Sequence, residues 1–308
     1  MISYILLGDK LMIKKSSMNR ILKMTMLLFV LFLLYLFPSK KTYKLNTIET
    51  ITTNYHDIFL LDKNGYVAKT KISVKSIEKE KLAKDLLDSL IINGVNKNKI
   101  PESFKAIIPE KTTINSIKIN NNHIEVSFSN QILKETVNKE RMIECITYTL
   151  TSISNIKYVN ILVENEYNEF FDKEYTRDIG INKILDIDSL KDVTKITLYY
   201  NSNSNGTPYY IPVTKYINSK DDKVNIIIDE LSSKSSYETN LISYLNYDTK
   251  LMSYTLEDGE INLYFNNCIL NSKDDNKILE EVIYSISYSL EDSIEVSNVH
   301  FYVNNKEF

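Results

Sequence analysis

The sequence predicts an α+β protein: two tandem copies of a ββαββαβ domain, each a mixed sheet with helices on one face, preceded by an N-terminal transmembrane helix. Three observations predict it. The alternating stretch HIEVSFSNQIL at 123–133 returns as EINLYFNNCIL at 260–270. The hydrophobic period switches between two and about 3.6 in the same order in both halves of the chain. A strongly apolar run, ILKMTMLLFVLFLLYLF from Ile21 to Phe37, stands before both halves.

In the first half, IFLL (58–61) and YVAKTKISV (66–74) flank Asn64-Gly65, a pair that readily takes the positive φ angles of a tight hairpin turn. Residues 77–93 carry Ile77, Leu82, Leu86, Leu87, Leu90 and Ile91 near the helical period, and Gly94 stops the helix. After Pro109 the period becomes two. Ile114, Ile117 and Ile119 lead through Asn120-Asn121-Asn122 to Ile124, Val126 and Phe128, a hairpin with one buried face. Asn138 to Ser154 places Met142, Cys145, Ile146, Thr149, Leu150 and Ile153 on one stripe of a second helix, and YVNILV (158–163) closes the unit as a strand.

The second half repeats the order. ITLYY (196–200) and PYYIPVTKYI (208–217) flank Asn205-Gly206, and KVNIIIDEL (223–231) is the first helix. Leu251–Leu256 and Ile261–Phe265 flank Asp258-Gly259, Asn276–Leu290 is the second helix and VSNVHFYV (296–303) the last strand. Met142, Ile143, Ile146, Tyr148 and Leu150 match Val282, Ile283, Ile286, Tyr288 and Leu290 at an offset of about 140 positions, and Val159 and Val163 match Val299 and Val303. The chain therefore divides into a segment 1–20, an anchor 21–37, a linker 38–56, a domain 57–165, an inter-domain linker 166–192 and a domain 193–308. The inter-domain linker is acidic and aromatic around Tyr167, Phe170 and Phe171, long enough to carry a short helix, and leaves the domains free either to pivot or to dock.

With 37 Lys and Arg against 40 Asp and Glu, the chain has no field that favours nucleic acid. The apolar run is just long enough to cross a hydrocarbon core. Lys10, Lys14, Lys15 and Arg20 before it and Lys23 at its start, against Lys40, Lys41 and Lys44 after it, favour a cytoplasmic N-terminus with the C-terminal domains outside. A cleaved signal peptide competes with the uncleaved anchor. Phe37-Pro38-Ser39-Lys40 supplies no small-x-small cleavage site, and no cysteine follows for lipid attachment.

No stretch carries a catalytic, cofactor or metal signature, so no catalytic, cofactor-binding or metal residue is expected. Glu78, Glu80, Asp85 and Asp88 alternate with Lys79, Lys81 and Lys84 and read as a solvated helix face with close opposite-charge pairs. Asn218–Asp222 and Asn271–Asp275 each precede a helix, where Ser219 or Ser272 can cap free amides and the aspartates suit the dipole. Asp62-Lys63-Asn64-Gly65 opens like a calcium loop but lacks the closing glutamate and flanking helices. Ser127, Ser129, Thr147 and Thr149 have no activating histidine in a motif, and His56, His123 and His300 have no metal-ligand spacing. Cys145 and Cys268 read as free thiols. Tyr199, Tyr200, Tyr209, Tyr210 and Tyr216 fit either a partner surface or strand packing.

Ile108-Pro109 before a hairpin, Val126-Ser127-Phe128-Ser129, Thr147-Tyr148-Thr149-Leu150 and Val159-Asn160-Ile161-Leu162-Val163 together resemble the GerM domain of sporulation and germination proteins. The resemblance covers 57–165 well and 193–305 less well, since the second copy lacks the Ile-Pro and the glycine-ended helix and reads Tyr288-Ser289-Leu290 for Tyr148-Thr149-Leu150. It implies a non-enzymatic, membrane-anchored extracytoplasmic scaffold built from ring-building-like modules. Its partners would be other envelope proteins of a sporulation complex, with self-association as a further option. The alternatives are an anchored solute- or peptidoglycan-binding module and a cell-envelope hydrolase.

Overall fold

The computed structural model describes residues 20, 22–29, 54–134, 138–171, 173–204, 206–233, 241–271 and 277–308. Two compact units result, Met1–Thr52 and Thr53–Phe308. In the first, residues 22–29 are helical and leave Leu22, Met24, Leu27, Leu28 and Phe29 exposed. The rest of the expected anchor, Ile21 and 30–37, lies outside the described residues, as do residues 1–19 and 38–53. Among the described residues no helix is long and apolar enough to cross a membrane.

The second unit begins with β1 (Asn54–Leu61), β2 (Val67–Val74), α1 (Lys79–Leu90), β3 (Ile114–Asn120), β4 (His123–Phe128), α2 (Lys139–Leu150) and β5 (Tyr158–Val163). A short strand β6 (Ile184–Asp186) follows. Then come β7 (Val193–Ser204), β8 (Thr207–Asn218), α3 (Lys223–Ser232), β9 (Leu251–Glu257), β10 (Glu260–Phe265), α4 (Glu280–Ile294), β11 (Asn298–Val303) and β12 (Lys306–Glu307). The order ββαββαβ thus occurs twice.

The strands of one copy do not form a single sheet. The strands β3-β4-β5 make one sheet and β12-β11-β10-β9 another, while the opening hairpins β1–β2 and β7–β8 join, with β6, in a common five-stranded sheet. The reason is visible in burial. Ile58, Phe59 and Leu60 are consecutive and all fully buried, so β1 is covered on both faces there. Its second cover is α2, in which every residue from Met142 to Leu150 is buried, including Glu144, Thr147 and Thr149. A helix expected to bury one stripe is instead enclosed.

Both three-strand cores follow the same rule: β3–β4 and β9–β10 are antiparallel, β4–β5 and β10–β11 parallel, and the parallel pairs are connected through α2 and α4. Turn chemistry is uneven. Asp258 (φ 50°) and Gly259 (φ 81°) both take positive φ, as a two-residue hairpin turn requires. Between β1 and β2 only Gly65 does (φ 83°), because the Asp62 carboxylate accepts the amides of Asn64 and Tyr66, each at 2.9 Å, and opens a longer loop. Gly94 marks the end of α1 for a steric reason: a Cβ there would stand 2.7 Å from the Asp88 carbonyl oxygen. Helix α4 runs later than the expected Asn276–Leu290, because Lys277 and Ile278 are engaged with Asn271 and Leu270 in a small closing bridge.

Candidate interaction surfaces and the buried seam

The chemistry-bearing side chains meet where the copies join. Strand β8 has β7 along one edge; its other edge is shared by β2, at Lys69↔Tyr210, and by the parallel β6, at Ile184↔Lys215 through Asp186↔Ile217. Between those contacts the ladder is completed by a side chain. Asn182, almost fully buried, accepts the Val67 amide at 3.0 Å and donates to the carbonyls of Val67 (2.7 Å) and Pro212 (2.6 Å). It thereby bridges a strand of each copy. Arg141, itself paired with the buried Glu144 at 2.9 Å, also donates to the Asn182 oxygen. Burial raises the Glu144 carboxyl above its ordinary range, and Arg141 counteracts this.

The approach to Asn182 is tight. The Ile181 amide donates to Thr214 Oγ1 at 2.9 Å, and the Ile181 carbonyl accepts the Thr214 amide at 2.8 Å. Gly180 (φ 72°) packs so closely that a Cβ would lie 3.2 Å from the Thr214 side chain.

Next to this pin lies a charge cluster. Arg177, in the connection between copies, forms an ion pair with Asp292 of α4 and donates to Thr151 Oγ1 (3.0 Å) and Ser152 Oγ (3.1 Å) of the first copy. Burial works against its charge, but Asp292 and the nearby tyrosines hold its pKa above the usual value. The Tyr199 hydroxyl donates to the second oxygen of Asp292 at 2.6 Å, and burial, then Asp292, pushes its pKa well up. On the other side of the seam Lys69 lies 3.0 Å from Asp57 and 3.5 Å from the centroid of Tyr288, its pKa lowered by burial against the pull of Asp57.

These carboxylates are committed. Asp292 accepts from Arg177 and Tyr199; Asp62, taken in the sequence as the start of a turn, accepts two amides and the Tyr209 hydroxyl at 3.1 Å. Asp62 with Tyr209, and Arg177 held by Asp292, link the two copies. The arrangement does the work of a fastener.

The other candidate residues are placed as follows. Glu78 and Glu80 of the α1 region are exposed, Asp85 accepts the Ser76 hydroxyl at 2.5 Å, and Lys79 reaches the Ser154 carbonyl rather than a neighbouring carboxylate. Burial raises the pKa of Asp88. Asp222, not Ser219, caps α3, accepting the amides of Val224 and Asn225 at 3.1 Å each. Ser272 and residues 273–275 lie outside the described residues. Ser127 accepts the Asn165 amide at 2.7 Å and Ser129 the Thr113 amide at 2.9 Å, so both serve loop closure. His123 stacks on Tyr158 and lies 3.4 Å from Glu174; His300 lies 3.0 Å from Glu307. Cys145 and Cys268 are free thiols, the first buried with its pKa pushed well up by that burial. Of the five tyrosines, Tyr199, Tyr200 and Tyr209 are buried, so packing and not a partner claims them. Asn182 and Arg177 had no signal in the sequence, because a lone polar residue in a linker has none until its partners are known.

Thr149 and Ser289 carry the duplication into geometry. The Phe59 amide donates to Thr149 Oγ1 at 3.0 Å, and the Tyr199 amide donates to Ser289 Oγ at 2.9 Å. Phe59–Tyr148 and Tyr199–Tyr288 repeat one tilted ring contact, with centroids 5.3 Å apart in both. All three equivalent pairs, Phe59/Tyr199, Tyr148/Tyr288 and Thr149/Ser289, keep the offset of about 140 seen in the sequence.

Comparison with known proteins agrees. The family described as "Germane: Sporulation and spore germination" matches residues 57–169 and 197–308. Spore germination protein GerM of Bacillus subtilis (strain 168) is 30% identical over 284 residues, spanning 87% of this chain and 76% of that protein. The solved structure of the tandem GerMN domains of the sporulation protein GerM from Bacillus subtilis superposes with a TM-score of 0.72 at 28% identity, covering 83% of this chain and 92% of that one. A duplicated ββαββαβ chain matched by the family in both copies belongs to the Germane family of sporulation and spore germination proteins.

Proposed function

We propose that this chain is a membrane-anchored, extracytoplasmic, non-enzymatic scaffold acting in sporulation or germination, with other envelope proteins as its partners. One observation carries the reading: Arg177 held by Asp292, Asp62 with Tyr209, and Asn182 are committed to contacts that fasten the two copies, which leaves the outer faces for contact. The name of the similar Bacillus subtilis protein supports the setting. The apolar run Ile21–Phe37 supports tethering, with domains 57–165 and 193–308 outside the membrane.

The test is complementation. The full chain, expressed in Bacillus subtilis lacking its GerM, should restore spore yield and germination, and a chain without residues 1–37 should not. Asp85→Asn and Asp88→Asn should complement as well as the parent. Loss of complementation by either variant with folding intact would favour a hydrolase, and failure of the full chain would remove the sporulation assignment.

A further inference from the structure

The β1–β2 hairpin has a closed end, the Asp62–Tyr66 loop, and an open end, where Asn54 pairs with Val74 and Tyr55 with Ser73. The chain enters the second unit at that open end, and only residues 38–53 separate it from the apolar run ending at Phe37. At no more than about 3.5 Å per residue, that connection keeps the open end within about 60 Å of whatever holds the run. Two large side chains are left in water there. Tyr55 is 66% exposed, and Ile77, three residues beyond Val74, is 84% exposed. Around them Lys71, Lys75, Lys79 and Lys81 are exposed. Asp57, opposite Lys71, is already paired with Lys69 at 3.0 Å, so Glu78 and Glu80 are the exposed acids of this stretch. The bias extends to the whole copy: residues 57–165 carry 16 Lys and Arg against 13 Asp and Glu, whereas residues 193–308 carry 9 against 17.

We infer, on the anchored reading proposed above, that the open end of this hairpin lies on the anionic surface of the membrane that holds the anchor. Ile77 and Tyr55 enter the headgroup region, where an apolar body and a ring with a wet hydroxyl are both accommodated. Lys71 and Lys75 face the lipid phosphates, to which an anionic leaflet attracts basic side chains. From free solution so few groups hold a protein on a bilayer only weakly. A short connection to an anchor supplies an effective concentration of about millimolar, at which a weak contact is populated. Charge sets the sense of the contact: an anionic surface attracts the first copy and repels the acidic second one.

The chain has no tryptophan, so a single introduced one reports its own depth. The full chain is reconstituted into phosphatidylcholine vesicles with or without about one-third phosphatidylglycerol, and flotation shows first that it is held. The fluorescence of Ile77→Trp should be quenched at least about twofold by bromine-labelled lipid in the anionic vesicles, and less in the neutral ones. Lys63→Trp, in the closed loop about 25 Å away along the hairpin, should not be quenched. Adding Lys71→Glu and Lys75→Glu to the first reporter should remove most of its quenching, with circular dichroism unchanged. Tyr55→Trp reads the same contact with Ile77 in place, and adding Ile77→Asp to it should abolish the quenching. A chain that floats without quenching at Ile77→Trp or Tyr55→Trp overturns the seating and leaves the anchor standing. So does quenching that is equal at both ends of the hairpin or indifferent to lipid charge. A chain that does not float removes the anchor, and the seating with it.

Discussion

Among the described residues, the chain that leaves the first copy returns to Val159 near the start of β5, whereas the chain that leaves the second pairs only with Tyr302 and Val303 at the end of β11. After β5 the backbone turns through Glu164 (φ 50°) and Asn165 (φ 65°) and comes back, so that Tyr175 exchanges both backbone hydrogen bonds with Val159 at 2.9 Å. After β11 the same turn occurs at Asn304 (φ 51°) and Asn305 (φ 62°), and β12 covers Tyr302 and Val303. Among the described residues no strand reaches the edge at Val299. Identical internal modules are thus given different surfaces by what lies between and after them. Duplication supplies the core, and the connection decides which copy keeps open edges.

The comparison breaks most readily at the connection. Asn182→Ala removes the amide that satisfies groups on both copies and should lower stability by about 3 kcal/mol, since each buried partner left unpaired costs roughly 1–3 kcal/mol. Urea unfolding checks it, and a second transition would show the copies parting. Asp292→Ala strands Arg177, which keeps 30% exposure. The expected loss is therefore about 2 kcal/mol, below the range for a fully buried pair.

Thr149→Val and Ser289→Ala sharpen the equivalence. Each leaves a strand amide without its acceptor, and each should cost about 1–2 kcal/mol. Unequal losses would mean that the copies rely on different contacts despite equal geometry.

The smallest effect belongs to the second copy alone. Asp222→Ala removes the α3 cap and should cost about 1 kcal/mol at neutral pH. The accepted amides hold the Asp222 pKa below its ordinary value, although its partial desolvation acts the other way. Its contribution is then complete above the ordinary carboxylate range and disappears as pH falls through the depressed folded value. Parent and variant melting temperatures should converge on acidification, and a gap that persists in strong acid would show that the carboxylate charge is not what caps the helix.

Much of this was legible in advance. YVNILV (158–163) is β5 to the residue, because alternation in a half-buried strand and the flanking turns leave one register. Helix boundaries were less so: α4 begins at Glu280, since a bridge from Ile278 to Leu270 outweighs the local helical pattern. The tyrosines of β7 and β8 could not be assigned by pattern, as an amphipathic ring suits a core margin and a partner surface equally. Burial of Tyr199 against Asp292 decided it.

The sequence by itself determined the α+β class, the twofold repetition and the correspondence of Thr149 with Ser289, because hydrophobic period and constant offset are properties of neighbouring residues. Only the tertiary structure decided that the opening hairpins share one sheet and that Arg177 and Asn182 fasten it. Those contacts join residues far apart in the chain, and a hydrogen-bonding side chain carries no trace of its partner until folding removes both from water.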